Sequence, residues 1–123
     1  MKAEHLETGK MGEEKAREYL KEKGYQILAT NWRFGLNEID IIAKKDGYLV
    51  IVEVKTRTGQ PLVEPEVAVD QNKQRQLIKA ANSYIHFNNI NMETRFDILA
   101  ITVKGSECAI HHIEDAFYPR LRR

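Results

Sequence analysis

The chain of 123 residues holds one cysteine, Cys108, so an internal disulfide is excluded and no thiolate pair is available for a metal. It has almost no excess of either charge. Nineteen Lys and Arg stand against 18 Asp and Glu, a formal net charge of +1, so bulk charge does not announce a nucleic-acid partner and any basic surface must be local. No apolar run approaches the length of a membrane span, and Met1-Lys2-Ala3-Glu4-His5 lacks the apolar core of a signal peptide. The expectation is a cytoplasmic protein with no membrane partner. Internal repeats, low-complexity tracts and an interdomain linker are also missing.

What is present fits a folded domain: 42% hydrophobic and 30% charged residues, ordinary for a globular chain. The length suits one domain over 1–123, with a core over 9–117. A short basic tail carries Arg120, Arg122 and Arg123, either a basic surface or a frayed terminus.

The most informative stretch runs from Glu38 to Lys55, where two β-branched runs flank Asp46-Gly47, a strong hairpin signal. Counting outward from a two-residue turn pairs Lys45 with Tyr48, Ala43 with Val50, Ile41 with Val52 and Asp40 with Glu53. Alternation then places Leu49, Ile51, Glu53 and Lys55 on one face, with Asp40 beside Glu53. Two opposed carboxylates repel, and a divalent cation held by oxygen ligands relieves that repulsion on a largely apolar face. The alternative is a pairing of Glu53 with Lys55 at a solvated strand end.

A helix is predicted over Met11 to Lys23, with Ala16, Tyr19 and Leu20 inward and Gly24 ending it. Glu13 lies along that inward stripe, either as a functional acid or as a first-turn residue favoured by the helix dipole or paired with Arg17. Tyr25 to Arg33 reads as a strand, with Trp32 taken as packing rather than base stacking. After Lys55, the stretch Thr56-Arg57-Thr58-Gly59-Gln60-Pro61 is expected to break the strand, and Pro65 follows. A loop leaving the metal face there contacts or covers a substrate, with Arg57 as its basic side chain for nucleic acid.

Asp70 caps a second predicted helix reaching His86, with Leu77, Ile78, Ala81, Tyr84 and Ile85 inward. Lys73, four residues before Leu77, either reaches toward the sheet and a phosphate or snorkels on a solvated turn. Thr94 to Val103 reads as a strand, and Lys104-Gly105-Ser106-Glu107 turns it onto Cys108 to Ile113. His111 and His112 face opposite sides of that strand and are poorly placed to share an ion. The order α-β-β-β-α-β-β indicates an α/β sandwich with a mixed sheet of about five strands flanked by helices.

Gly12-Glu13, Ala16, Tyr19-Leu20, Gly24 to Leu28, Asn31-Trp32-Arg33, Glu38 to Ala43, Val52 to Arg57, Lys73, Arg95-Phe96-Asp97 and Ala116-Phe117 together carry a resemblance. On these residues the chain resembles the PD-(D/E)XK nuclease superfamily, and more closely the bacterial YraN family of small endonuclease-like proteins. The resemblance implies a restriction-endonuclease-like fold in which Asp40, Glu53 and the Val54 carbonyl bind Mg2+ or Mn2+ and Lys55 sits beside the attacking water. Glu13 is similar to the first-helix acid of Holliday-junction-resolvase relatives, which makes branched DNA a candidate substrate and leaves a homodimer open. Asn37 stands where the family commonly has Gly; Asn tolerates the left-handed backbone that Gly would supply, so the turn is expected to survive. Two other readings stay open: a non-catalytic or partner-dependent nucleic-acid-binding protein on the nuclease fold, and an interaction protein whose charges form a buried salt-bridge cluster.

Overall fold

In the computed structural model, residues 2–59 and 69–117 are described, with side chains from residue 9 onward. The elements are α1 (Lys2–Glu22), β1 (Gln26–Phe34), β2 (Asn37–Lys45), β3 (Tyr48–Thr58), α2 (Gln71–Phe87), β4 (Glu93–Lys104) and β5 (Glu107–Phe117). They form a five-stranded sheet in the order β1-β2-β3-β4-β5, antiparallel except where β3 meets β4. This is the α/β architecture with a mixed sheet expected from the element order. Only the parallel β3–β4 pair needs a crossover, and α2 lies within that connection.

Asp46 (φ 51) and Gly47 (φ 85) both take left-handed backbone, as a type I′ turn requires. The hairpin register follows: Lys45 pairs with Tyr48, Ala43 with Val50 and Ile41 with Val52. Because β3 is central, Leu49 to Val52 is a continuous buried run whose side chains alternate between two cores. One core joins α2 to the sheet through Leu77, Ala81 and Tyr84 against Ile42, Leu49, Ile51, Phe96 and Ile98. The other joins α1 through Ala16 and Leu20 against Ile41, Val50, Val52, Leu99 and Ile101. Each fully buried Leu or Ile contributes about 1.5 to 3 kcal/mol, so both helices are held by packing rather than by propensity.

At the end of α1, Gly24 (φ 91) donates to the Lys21 carbonyl and Tyr25 donates to that of Leu20, satisfying carbonyls the helix leaves free. At the start of α2, the Asp70 carboxylate accepts from the Lys73 amide at 2.8 Å. Trp32 meets the Tyr84 ring edge-on at 5.3 Å, which makes it a packing residue.

Several expectations are corrected. α1 starts at Lys2 rather than Met11, running through Gly9 and Gly12. Residues 56–58 do not break the strand: β3 continues to Thr58, where pairing with Val103 of β4 overrides the turn-forming composition. The β1–β2 turn next to Asn37 does form, with Gly35 (φ 60) rather than Asn37 as its left-handed residue. β5 runs past Ile113 to Phe117 by way of a register shift that contains Asp115 (φ 54). The expectations on Gln60, Pro61, Pro65 and the Arg120, Arg122 and Arg123 tail lie outside the described residues.

Candidate active site

The β2–β3 ladder ends at the pair Ile41–Val52, one residue before Asp40 and Glu53 would face each other. Beyond it β2 stays paired with β1 as far as Phe34–Asn37, while β3 stays paired with β4 as far as Thr58–Val103. The two central strands therefore part, and Asp40 stands at the fork. Its Oδ2 accepts from the Val54 amide at 2.8 Å, so the side chain takes over where the backbone ladder stops. N–H and C=O of one strand residue project from the same edge, so the Val54 carbonyl also faces the fork.

Glu53 is 5% exposed. Its Oε2 lies 3.8 Å from both Lys55 Nζ and Lys73 Nζ. Its Oε1 is buried with no hydrogen-bond partner among the described residues. Burial first, and then the charge of Asp40, push the Glu53 carboxyl up to about 7, against the opposing pull of Lys73 and Lys55. The Asp40 carboxyl is also raised, again first by burial, while the Val54 amide and Lys73 pull it back. Two neighbouring buried carboxyls resist ionising together.

Glu13 faces the same region from α1. Burial, then Asp40, raises its pKa, with Arg17 and a hydrogen bond from Asn31 acting the other way. Gly12 explains the close approach of this helix: a Cβ there would lie 2.1 Å from Thr56 Oγ1. Asn31 was not singled out in the sequence as a functional residue. Its left-handed backbone (φ 49) is the kind of conformation Asn tolerates, and it interrupts alternation so that Trp32 and Ile39 both pack toward α2.

Along β3, Glu53, Lys55 and Arg57 share a face by alternation, the last exposed. Lys73 reaches this face from the first turn of α2. Asp40, Glu53, Lys55 and Lys73 are thus brought together, Glu13 borders them, and Arg57 continues their row outward. Among the described residues no three His, Cys, Asp or Glu side chains are clustered closely enough to enclose a metal ion. The donor set at the fork is therefore two carboxylates with a backbone carbonyl, a set that suits Mg2+ or Mn2+, which keep water and substrate oxygens in their remaining positions. The partnerless Glu53 Oε1 fits such an ion.

A second charged cluster lies on the α1 side, and its composition gave no sign of it. Asp97, 1% exposed, accepts from Arg95 through both oxygens at 2.9 and 2.8 Å and from the Asp115 amide at 3.0 Å. His112 Nε2 lies 2.7 Å from its Oδ2, and His112 Nδ1 lies 3.0 Å from the Tyr19 hydroxyl. Arg95 also donates to the Tyr25 hydroxyl at 2.7 Å. Burial alone would raise the Asp97 carboxyl; the His112 and Arg95 hydrogen bonds hold it below its ordinary range. Every oxygen is satisfied, as a structural network requires. His112 is thereby accounted for, and His111 is exposed.

A mixed-sheet α/β domain with a buried carboxylate pair at a strand fork, flanked by two lysines, is the class these features define. The family described as Uncharacterised protein family UPF0102 matches residues 12–101, and the chain belongs to that family. It is similar to a UPF0102 protein of Flavobacterium psychrophilum, 49% identical over 116 residues that cover 94% of this chain and 98% of the relative. A UPF0102 protein of Parabacteroides distasonis is 45% identical over 120 residues, covering 98% and 99%. One of Bacteroides thetaiotaomicron is 46% identical over 119 residues, covering 97% and 98%. Among the described residues no helix is long and apolar enough to cross a membrane.

Proposed function

We propose that this chain is a divalent-metal-dependent nuclease of the PD-(D/E)XK superfamily that hydrolyses phosphodiester bonds in DNA, branched or junction DNA included. The observation that carries the reading is Glu53: a buried carboxylate with one oxygen against two lysines and the other with no hydrogen-bond partner among the described residues, beside a second carboxylate. Burying such a group costs several kcal/mol unless its charge and lone pairs are met, and a metal ion meets both.

Asp40, Glu53 and the Val54 carbonyl would hold Mg2+ or Mn2+. The ion supplies Lewis-acid polarisation of a phosphoryl oxygen and activation of a water. Asp40 is oriented for this by the Val54 amide, which fixes one carboxylate oxygen and leaves the other for an ion. Lys55, 39% exposed at its side chain, is free to follow negative charge as it develops on the phosphate. Lys73 and the exposed Arg57 attract the backbone of the nucleic acid and position it. Glu13, whose carboxyl feels the charge of Asp40, is a third acid able to orient a water.

The test is cleavage of end-labelled single-stranded, duplex, flapped and four-way-junction DNA with Mg2+ or Mn2+, comparing the native chain with Glu53→Ala. Cleavage by the native chain that the variant loses supports the nuclease. Salt-sensitive DNA binding without cleavage, under conditions where metal binds, would favour instead a non-catalytic or partner-dependent nucleic-acid-binding protein on the same fold.

A further inference from the structure

The fork that holds the carboxylates also produces an arm. Beyond Asp40 the β1–β2 hairpin no longer pairs with β3, and residues 32–39 continue as a two-stranded ribbon whose base, Trp32 and Ile39, packs into the α2-side core. Trp32 anchors that base against Tyr84 of α2. Further out, Arg33 and Glu38 face each other across the ribbon in a 3.8 Å ion pair. At the tip stand Phe34 and Leu36, 36% and 105% exposed, separated by Gly35 at φ 60.

Among the described residues, the exposed large apolar side chains are these two, Met11 and Phe87; only Phe34 and Leu36 adjoin each other at a turn. Placing two apolar side chains at the tip of a solvated hairpin adds nothing to the core. Past Ile41–Val52 neither the ribbon nor the end of β3, with Lys55 and Arg57, is paired with the other, and the two edges diverge from Asp40 and Glu53. Leu36 stands four residues before Asp40. At about 3.3 Å per strand residue the tip lies roughly 13 Å from the carboxylates. That is at most about four nucleotides at the ~3.4 Å rise of a stacked strand.

We propose that the Phe34-Gly35-Leu36 tip is a wedge that packs against nucleobases splayed out of the stack, a few nucleotides from the phosphate at Asp40 and Glu53. This rests on the nuclease reading and adds a substrate preference: DNA whose bases are already unpaired near the scissile phosphate. Lys55 and Arg57 at the end of β3 hold the backbone, and apolar residues on the arm meet the base faces. That division matches the chemistry of a distorted strand. An uninterrupted duplex has to unstack before the wedge enters, which costs a few kcal/mol, whereas a flap or junction has made that change already.

The experiment uses the full chain and DNA carrying 2-aminopurine at successive positions around the cleavage site, with Ca2+ replacing Mg2+ to keep the strand whole. The native chain should raise 2-aminopurine fluorescence at positions within about four nucleotides of the cut. A Phe34→Ser, Leu36→Ser double variant should abolish that rise and weaken flap and junction cleavage about tenfold relative to single strands, with Mn2+ binding unchanged. Because the side chains are exposed, the variant should keep the native circular dichroism and melting temperature. A variant that unstacks bases and selects substrates as the native chain does overturns the wedge and leaves the nuclease standing. A native chain that neither binds nor cuts DNA while holding metal overturns both. Loss of a native dimer on sedimentation, with unstacking unchanged, assigns the tip to a second copy of the chain instead.

Discussion

The Val54 amide donates to Asp40 Oδ2 at 2.8 Å at the point where β2 and β3 stop pairing. One residue before Val54 comes the buried, half-satisfied carboxylate of Glu53. Asp40 therefore does two things at once: it closes off a freed backbone donor, and it brings negative charge beside Glu53. Substitutions separate these roles.

Asp40→Asn retains an acceptor for Val54 and removes the charge; Asp40→Ala removes both. The Asn variant should melt at or above the native temperature without metal, because the carboxylate repulsion is gone. The Ala variant should lose about 1 to 3 kcal/mol from the unsatisfied amide. Both should bind Mn2+ at least about tenfold more weakly, which corresponds to ~1.4 kcal/mol. Urea unfolding and titration calorimetry read the two effects separately.

The pH dependence has a defined sign. Glu53 is raised from 4.5 to about 7, so the folded chain holds its proton more tightly than the unfolded chain does. That stabilisation is complete below pH 4.5 and is lost as pH rises through about 7. The loss is about 3 kcal/mol at most, and the raised Asp40 acts in the same direction. Divalent ion, which binds the ionised form, should restore stability above pH 7 and not below pH 5. Melting curves with and without Mg2+ across that range test this.

Lys55 and Lys73 approach the same Glu53 oxygen, but under the proposed function they would act on different parts of a substrate. Lys55→Ala should leave DNA affinity within about twofold and abolish most turnover. Lys73→Ala should weaken binding evenly across sequences and lower the salt slope by about one. Equal effects of the two variants on binding would contradict that division.

The Asp97 network gives a control far from the fork in chemistry. Asp97→Ala takes the buried carboxylate from Arg95, which keeps Glu114 at 3.4 Å and the Tyr25 hydroxyl, and should cost about 3 kcal/mol, while the metal affinity of whatever remains folded stays native. Chemical unfolding followed by metal titration measures both.

Much of the site was legible because it depends on local rules. Asp46-Gly47 set the hairpin register, and alternation from that turn put Glu53 and Lys55 on one face toward α2, where Lys73 reaches them. What sequence alone did not give depends on distant partners. Residues 56–58 have turn-forming composition, yet β4 keeps them in the sheet. Regular alternation set Asp40 directly against Glu53, whereas the ladder stops one pair short, and β1 carries a register shift between Ile27 and Ala29 and a left-handed Asn31. Asp97, Arg95, His112 and Tyr19 meet only after β5 folds back beside β4 and α1 covers them, and no spacing encodes that.

The central claim is that the free oxygen of Glu53 is a metal ligand. It is tested most directly by titrating Mn2+ into the native chain and into Glu53→Gln at pH 7, in two buffers of different ionisation enthalpy. The account predicts saturable binding by the native chain with release of protons from the Asp40–Glu53 pair, and loss of both the binding and the proton release in the variant. Equal Mn2+ binding by the two chains, or no binding by the native one, would contradict it.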